Sequence, residues 1–486
     1  MRQTEGHKPS PIDETNIMSA AERLSGVDRA WLLMERPTNP MTIVGLMVLE
    51  ARLDRARLRD LVAERFLLFD RFRCVPVAEG SSAKWVPWTQ FDVNDHVLRV
   101  ALPAQAGQHE LEALVGELVS TPLNPARPLW TFHLVERFRG GSAIIVRIHH
   151  CYADGIALVQ VLLSLGDSEP GAAGSRAGRL KPRSPDISGT DNAAGLWPEV
   201  LGRVVREGAD LIEKGLHYAL HPAHSQSAMQ DALRLAGELA HVATLSDDPP
   251  TCLKRPLSGF RRVAWADPIS LAEVKIIGKV LGCTVNDVLV SSLAGALGRY
   301  LESQGDDVTA LKIRATVPVS LRSDTELQPT LGNRFGLVFV ELPIGVRHPL
   351  ERLYAVRSSM QTLKGSSQAL VILGLLAALG NLPAAVEEPL IALFSAKASL
   401  VASNLPGPRQ QLHIGGVGVS QLLFWVPQSG SIGTGVSMLT YNGQVQFGVI
   451  ADRKLVSKPA ELVELIVTEF ERLVFLVLLG AGSLGD

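Results

Sequence analysis

Apolar positions along this chain repeat at two spacings. In its first third, residues 19–35 and 53–69 carry apolar side chains three and four apart, which predicts helices. Residues 41–50 (MTIVGLMVLE) and 143–148 (AIIVRI) are short, β-rich apolar runs that predict strands, and a helix is expected over 156–165. Residues 167–195 are rich in Gly, Pro, Ser and Asp and nearly free of large apolar side chains, the pattern of a linker. Residues 196–244 read as one or two long helices interrupted at Pro222. The mixed pattern then resumes, with helices expected at 271–281, 285–301, 350–364 and 459–479 and strands at 313–319, 335–342, 417–426 and 445–450. The expected organisation is a polar tail (1–17), a first lobe (18–166), a flexible linker (167–195), connecting helices (196–250) and a second lobe (251–480). No short repeat is visible, which disfavours solenoids and propellers.

The apolar excess is concentrated late. Mean hydropathy is +0.17, and residues 369–380 (ALVILGLLAALG), 390–394 (LIALF) and 473–480 (LVFLVLLG) supply much of it. Two readings stand: buried core helices, or a surface that rests on lipid or lines an apolar channel. No uninterrupted apolar run reaches 18 residues, so no membrane span is expected, and the polar N-terminus lacks the apolar segment of a secretory signal. With 486 residues, 46% of them hydrophobic, the chain can bury a large core. Lys and Arg number 47 against 49 Asp and Glu, for a net charge of -2, which argues against nucleic acid as a partner. The four cysteines, Cys74, Cys151, Cys252 and Cys283, form neither a disulfide framework nor a C-x-x-C metal site, and point to a reducing, cytoplasmic setting.

The strongest chemical signal is His149-His150-Cys151-Tyr152-Ala153-Asp154-Gly155, between a predicted strand and a predicted helix. Neighbouring side chains at a strand end point to opposite faces, so the two histidines cannot share one task. One can face a cleft while the other supports the turn. Asp154 sits where a helix N-cap belongs, and Gly155 allows close approach. A neutral imidazole suits removal of a proton from an alcohol. The alternative is a capped turn with a hydrogen-bonded core histidine.

HHCYADG resembles the HHxxxDG signature of the bacterial wax ester synthase/acyl-CoA:diacylglycerol acyltransferase family, within the CoA-dependent acyltransferases and peptide-synthetase condensation domains. Further elements are similar in the same order: Pro128-Leu129-Trp130 (PLW), Val285-Asn286-Asp287-Val288-Leu289 (NDVVL), Val317 to Arg322 with Gly332-Asn333 (PVSLR…GN), and Ser403-Asn404-Leu405-Pro406-Gly407-Pro408 (SNxPGP). The resemblance implies an α/β fold of two chloramphenicol-acetyltransferase-like lobes with an active-site tunnel between them. It implies that His150 is the general base, with His149 supporting, and that acyl-CoA, a substrate rather than a cofactor, gives its acyl group directly to a long-chain alcohol or diacylglycerol. Asp154 is then a second catalytic carboxylate or, preferred, a residue that structures the loop through an arginine, with Arg322 as the suggested partner. Gly155 leaves room for substrate. Asn286 and Asp287 are read as substrate contacts or as cap and packing, with Asn286 the N-cap. Ser403 and Asn404 are read as donors to the oxyanion or the CoA arm, or as turn chemistry, and Trp130 as core or wall of the acyl path. The lipid substrates imply peripheral association with a membrane or lipid-droplet surface. The rivals are a condensation-type or polyketide-lipid acyltransferase with a carrier-bound donor, and a lipid-binding protein without catalysis.

Other signals carry less. His217, His221 and His224 have helical spacing, but Pro222 interrupts them and no Cys or carboxylate completes a site, so no metal is expected. There is no G-x-S-x-G, P-loop or G-x-G-x-x-G, and 415–418 and 430–435 read as tight glycine turns. Nothing in its spacing makes Cys151 a nucleophile.

Overall fold

The computed structural model of the protein describes residues 22–79, 82–167, 241–242, 244–321, 331–364, 368–380 and 384–482. The first part of the chain runs α1 (Gly26–Leu33), β1 (Thr42–Leu49), α2 (Arg55–Glu64), β2 (Cys74–Glu79), β3 (Ser82–Pro87), β4 (Val97–Val100), α3 (Gln108–Ser120), β5 (Trp130–Phe138), β6 (Gly141–His149) and α4 (Gly155–Leu163). The second runs β7 (Arg261–Trp265), β8 (Ile269–Ser270), α5 (Leu271–Val280), α6 (Val285–Ser303), β9 (Ile313–Ser320), β10 (Phe335–Leu342), α7 (Pro349–Lys364), α8 (Gln368–Leu379) and α9 (Ala384–Ala396). It continues through β11 (Leu400–Pro406), β12 (His413–Ile414), β13 (Val417–Trp425), β14 (Thr434–Tyr441), β15 (Gln444–Asp452) and α10 (Pro459–Gly482).

Each lobe is built on a mixed sheet. The first has strand order β12-β13-β1-β6-β5-β4, and the second β10-β9-β11-β14-β15-β7, with β8 beside β15. Every position of β1 and of β6 is buried, because both faces of the first sheet are covered. Ile43, Met47, Phe132, Ile144 and Ile148 pack on one side with α1, α2 and α4. Val44, Leu46, Val135 and Ile145 pack on the other with α3 and with Val263 and Trp265 of β7. That second layer joins the lobes directly.

β13 differs from the expected organisation. Its sequence falls inside the 251–480 segment read as the second lobe, yet it pairs antiparallel with β1 of the first sheet, Val44 opposite Trp425. The second segment therefore donates β13, with β12 beside it, to the sheet of the first lobe. Other differences are local. The helix expected over 53–69 stops at Glu64 and gives way to single turns at Phe66–Leu68 and Asp70–Arg73. β2, β3, β4, β5, β7, β8, β11, β12 and β14 were not foreseen, β11 because Ser403 to Pro406 reads as turn chemistry although Pro406 only ends the strand. The helices expected over 196–240 lie outside the described residues.

The second core is centred on α6. Its N-cap Thr284 accepts from the Asp287 amide, and the Asp287 carboxylate accepts from the Thr284 amide at 2.8 Å, a reciprocal cap that fixes the helix start. Buried Glu469 of α10 pairs with buried Arg352 of α7 and also meets Arg299 of α6 at 3.4 Å and Arg472 at 2.9 Å. Among the described residues no single helix is long and apolar enough to cross a membrane. Removal of the carboxylate in Glu469→Ala leaves Arg352 as an uncompensated buried cation; the expected loss is about 3–5 kcal/mol of unfolding free energy, read by urea denaturation.

Candidate active site

β6 ends at His149, and Asp154 opens α4, so HHCYADG is the turn that joins them. Its backbone is held from several sides. The His150 amide donates to the Met41 carbonyl (2.8 Å), the His149 amide to the Leu129 carbonyl (2.9 Å), and the Leu129 amide to the Tyr152 hydroxyl (3.0 Å). The PLW segment thus supports the turn from behind. Trp130 itself is fully buried, its Nε1 donating to the Phe72 carbonyl at 2.7 Å, which makes it a core residue and not a wall of the cavity.

The second lobe closes the other side. Gly332 has φ +115°, a conformation that favours glycine, and it runs parallel to Ala153 in a one-residue bridge. Its amide donates to the Tyr152 carbonyl at 3.2 Å. Asn333 Nδ2 donates to both the His150 carbonyl (2.8 Å) and the Asp28 carboxylate (2.7 Å). Asp28 is buried; burial pushes its carboxyl above the usual range, opposed by the Arg71 guanidinium and the Asn333 hydrogen bonds. Arg71 in turn donates to the Tyr152 carbonyl at 3.2 Å.

The two histidines face opposite ways. His149 Nδ1 accepts from the Cys151 amide at 3.1 Å, so its Nε2 donates toward Glu35, 3.3 Å away. His150 lines a cavity between the lobes. Its ring stacks on Trp31, with centroids 3.9 Å apart and planes at 18°, and meets Phe335 at 5.4 Å. Nδ1 is buried without a hydrogen-bond partner. Burial pushes the imidazole pKa down to about 4, against the opposing pull of the Asp154 carboxylate, so the ring is neutral at physiological pH.

Asp154 caps α4, accepting from the Ala157 amide at 2.9 Å, and accepts from the Arg334 amide at 3.0 Å. Arg322 lies outside the described residues, as do His217, His221 and His224. Asp154 and Gly155 both border the cavity, and so does Ser403, whose buried Oγ has no partner. Asn286 and Asn404 do not; Asn404 Nδ2 donates to Asn286 Oδ1 at 2.8 Å, which joins α6 to β11. Thr284, and not Asn286, is the N-cap of α6, and the Asp287 carboxylate is committed to that cap and away from the cavity. Cys151 is buried and its thiol is pushed well above its ordinary range by burial, which leaves no thiolate to act as nucleophile. No cluster of His, Cys, Asp or Glu among the described residues could hold a metal ion.

The cavity encloses about 1160 Å³ of atom-free space, part of it open to solvent. Trp31, Met34 and Ile156 come from the first lobe; Phe335, Leu337, Phe339, Val401 and Leu405 come from the second sheet. The late apolar runs supply Ile372, Leu375, Leu376 and Leu379 of α8 and Ile391 and Phe394 of α9. α8 meets both readings of its run, since Ile372, Leu376 and Leu379 are buried in the core and also line the cavity, while half-buried Ile391 and Phe394 of α9 line it. Trp31, Asp28 and Asn333 were not singled out as site residues; only Gly332-Asn333 carried a signal, as part of a recognisable string.

The sequence profile of the wax ester synthase/diacylglycerol acyltransferase catalytic domain matches residues 24–289, and that of the family's C-terminal domain matches 331–474. A Mycobacterium tuberculosis H37Rv protein described as a probable diacylglycerol O-acyltransferase is 29% identical over 414 residues, covering 83% of this chain and 84% of that protein. The structure of a wax ester synthase/diacylglycerol acyltransferase from Marinobacter aquaeolei VT8 superposes with a TM-score of 0.66 at 21% identity, covering 94% of this chain and 99% of the other. The first condensation domain of the calcium-dependent antibiotic synthetase shares the two-lobed fold, with a TM-score of 0.60 at 14% identity over 94% of this chain and 96% of that one. With both domain profiles matched in order across most of its length, the chain belongs to the wax ester synthase/diacylglycerol acyltransferase family.

Proposed function

We propose that this protein transfers a fatty acyl group from acyl-CoA to a long-chain alcohol, diacylglycerol or both, with His150 as general base. The observation that carries the reading is a neutral imidazole in the wall of a predominantly apolar cavity between the lobes. The ring takes the hydroxyl proton of the acceptor as the oxygen attacks the thioester carbon. The new C–O bond forms, the tetrahedral intermediate collapses with loss of the C–S bond, and the histidine returns the proton to the departing CoA sulfur. No acyl-enzyme is required, because the acceptor is itself the nucleophile. Ser403 donates to the oxyanion, a role supported by its unpartnered hydroxyl in the same cavity wall. His149, fixed by Glu35 and the Cys151 amide, holds the turn. Asp154 holds the turn as well and bears on His150 through its charge. The apolar walls exclude water, which would otherwise compete for the thioester.

Both acceptors partition into lipid phases, so we read the protein as cytoplasmic and working peripherally at a membrane or lipid-droplet surface. A carrier-bound donor is the rival for the acyl source. The test is purified protein with palmitoyl-CoA, offered hexadecanol and diacylglycerol in parallel. Ester formation from the free thioester supports the proposal, and a strict requirement for a carrier protein overturns it.

Replacement of the base in His150→Ala is expected to reduce ester formation by about 10²–10⁴-fold while far-UV circular dichroism stays unchanged. Because the neutral ring is the active form, kcat/KM should hold down through pH 6 and fall only as the pH drops toward about 4. A stopped assay across that range checks the sign and position of the limb. Trp31 covers one face of the imidazole. Its loss in Trp31→Ala admits water, so the acid limb should rise toward the ordinary histidine value, whereas Trp31→Phe should restore both rate and profile.

A further inference from the structure

The Asn333 amide and the His150 imidazole each keep one buried polar atom without a partner, Oδ1 of Asn333 and Nδ1 of His150. The orientation of the amide is fixed by its other end. Nδ2 lies between two acceptors, Asp28 Oδ1 at 2.7 Å and the His150 carbonyl at 2.8 Å. Turned over, the amide would set its oxygen against both of them, so its surroundings decide which end is which. The main chain adds a second tie, the Asn333 N–H donating to the same Asp28 oxygen at 3.1 Å. Asp28 is itself anchored in the first turn of α1, where its amide donates to the Ser25 hydroxyl at 3.1 Å, and its carboxylate stands 3.8 Å from Arg71.

The ring is constrained from its own side. His150 lines the cavity while its Nδ1 is closed off, so Nε2 is the nitrogen presented to substrate. A neutral imidazole carries a single proton, and the nitrogen that holds it cannot act as the base. For Nε2 to accept a proton, Nδ1 must already carry one, and a buried N–H needs an acceptor. Two acceptors serve this side of the ring. One is the carbonyl of His150 itself, which Nδ1 can reach and Nε2, farther out on the ring, cannot. The other is Oδ1 of Asn333, whose amide is already bonded to that carbonyl. Burial lowers the pKa of the ring; the Asp154 carboxylate opposes it, and so do hydrogen bonds to the His150 carbonyl and to the Asn333 side chain, while the His149 ring adds to the lowering.

We propose that Asn333 is a positioning residue for the reaction: its Oδ1 accepts from Nδ1–H of His150 and so keeps the lone pair of Nε2 turned toward the acceptor hydroxyl. The proposal deepens the reading of His150 as general base, and rests on it. The Nδ1 proton is never transferred. The alcohol proton moves to Nε2 and then to the departing sulfur, and Asn333 Oδ1 stabilises Nδ1–H while the ring is an imidazolium. The two ends of one amide thus have two tasks. Nδ2 ties the second lobe to Asp28, and Oδ1 selects the tautomer of a histidine in the first, which makes the base competent only when the lobes are closed on each other.

The test uses the full chain with ¹⁵N-labelled histidine, read by NMR at neutral pH, the His150 signals being those absent from His150→Ala. The wild-type ring should carry its proton on Nδ1. Asn333→Leu, close in size but without an acceptor, should move the proton toward Nε2 and lower kcat by about 10²-fold with KM unchanged. Asn333→Asp can share one proton with Asp28 and still turn an oxygen to the ring. It should hold the proton on Nδ1 and recover most of the lost kcat. Rates are referred to the folded fraction from thermal melts, which separates lost turnover from lost stability. A proton on Nε2 in the wild-type ring overturns the proposal. So does a wild-type kcat in Asn333→Leu, or Asn333→Asp as slow as Asn333→Leu, either of which would leave the residue a tie between the lobes and nothing more. Wild-type turnover by His150→Ala strikes the base itself and this proposal with it, and is told apart from the other failures because the tautomer of the wild-type ring is then as expected.

Discussion

The Asn333 side chain donates to two acceptors that belong to different parts of the first lobe, the Asp28 carboxylate of α1 and the carbonyl of His150. Asn333 itself belongs to the second lobe, at the entrance to β10. Gly332 and Arg334 on either side of it bond to Tyr152 and Asp154. The turn that carries the histidine pair is therefore completed by a strand-like segment from the other lobe. Its backbone groups could not be left unpaired in a buried setting without a cost of about 1–3 kcal/mol each. This bridge keeps the lobes closed over the turn. The burial of His150 and the neutrality of its ring both depend on that closure.

Closure has a chemical consequence. An imidazole in water spends part of its time protonated near neutral pH and is then useless as a base. His150, stacked between Trp31 and Phe335, is kept neutral by desolvation despite the nearby Asp154 carboxylate. Its neighbour His149 is equally buried but sits in a polar setting, its two nitrogens engaged by the Cys151 amide and Glu35. Two adjacent histidines thus acquire different surroundings because a strand presents successive side chains to opposite faces.

That alternation is a local property, and it was legible. So were most helices and six of the fifteen strands among the described residues, because their apolar periodicity is written in consecutive residues: β10 and α6 start where the pattern starts. Partners distant in sequence were not legible. Asp28 meets Asn333 across 305 positions, and nothing in either segment announces the other. Trp31 looks like any core aromatic until its stack on His150 is seen. β13 reads as a strand but does not encode which sheet it joins, since both sheets offer an apolar edge. Asn286 was read as a cap although Thr284 stands one turn before its reciprocal partner Asp287; both residue types cap well, and only the backbone decides between them.

The late apolar runs show how similar compositions meet different fates. α8 is apolar around its circumference, and it is buried between α1 and the second sheet, where several of its side chains become cavity wall. α10 is amphipathic, and its apolar stripe is covered by α6 through Leu473. The covering helix is shorter: α6 has 19 residues and α10 has 24. The difference of five residues corresponds to roughly 7 Å at the helical rise per residue. Because the helices are antiparallel and the start of α10 lies level with the end of α6 near Tyr300, the excess falls at the C-terminal end of α10, where Leu478 and Leu479 project past the first turn of α6. Their exposure follows from a mismatch in length between two packed helices, and α5, which precedes α6, adds Ile276 and Val280 at the same end. An apolar surface created in this way cannot be closed by a change of side-chain rotamer, because no helix of the fold extends over it among the described residues.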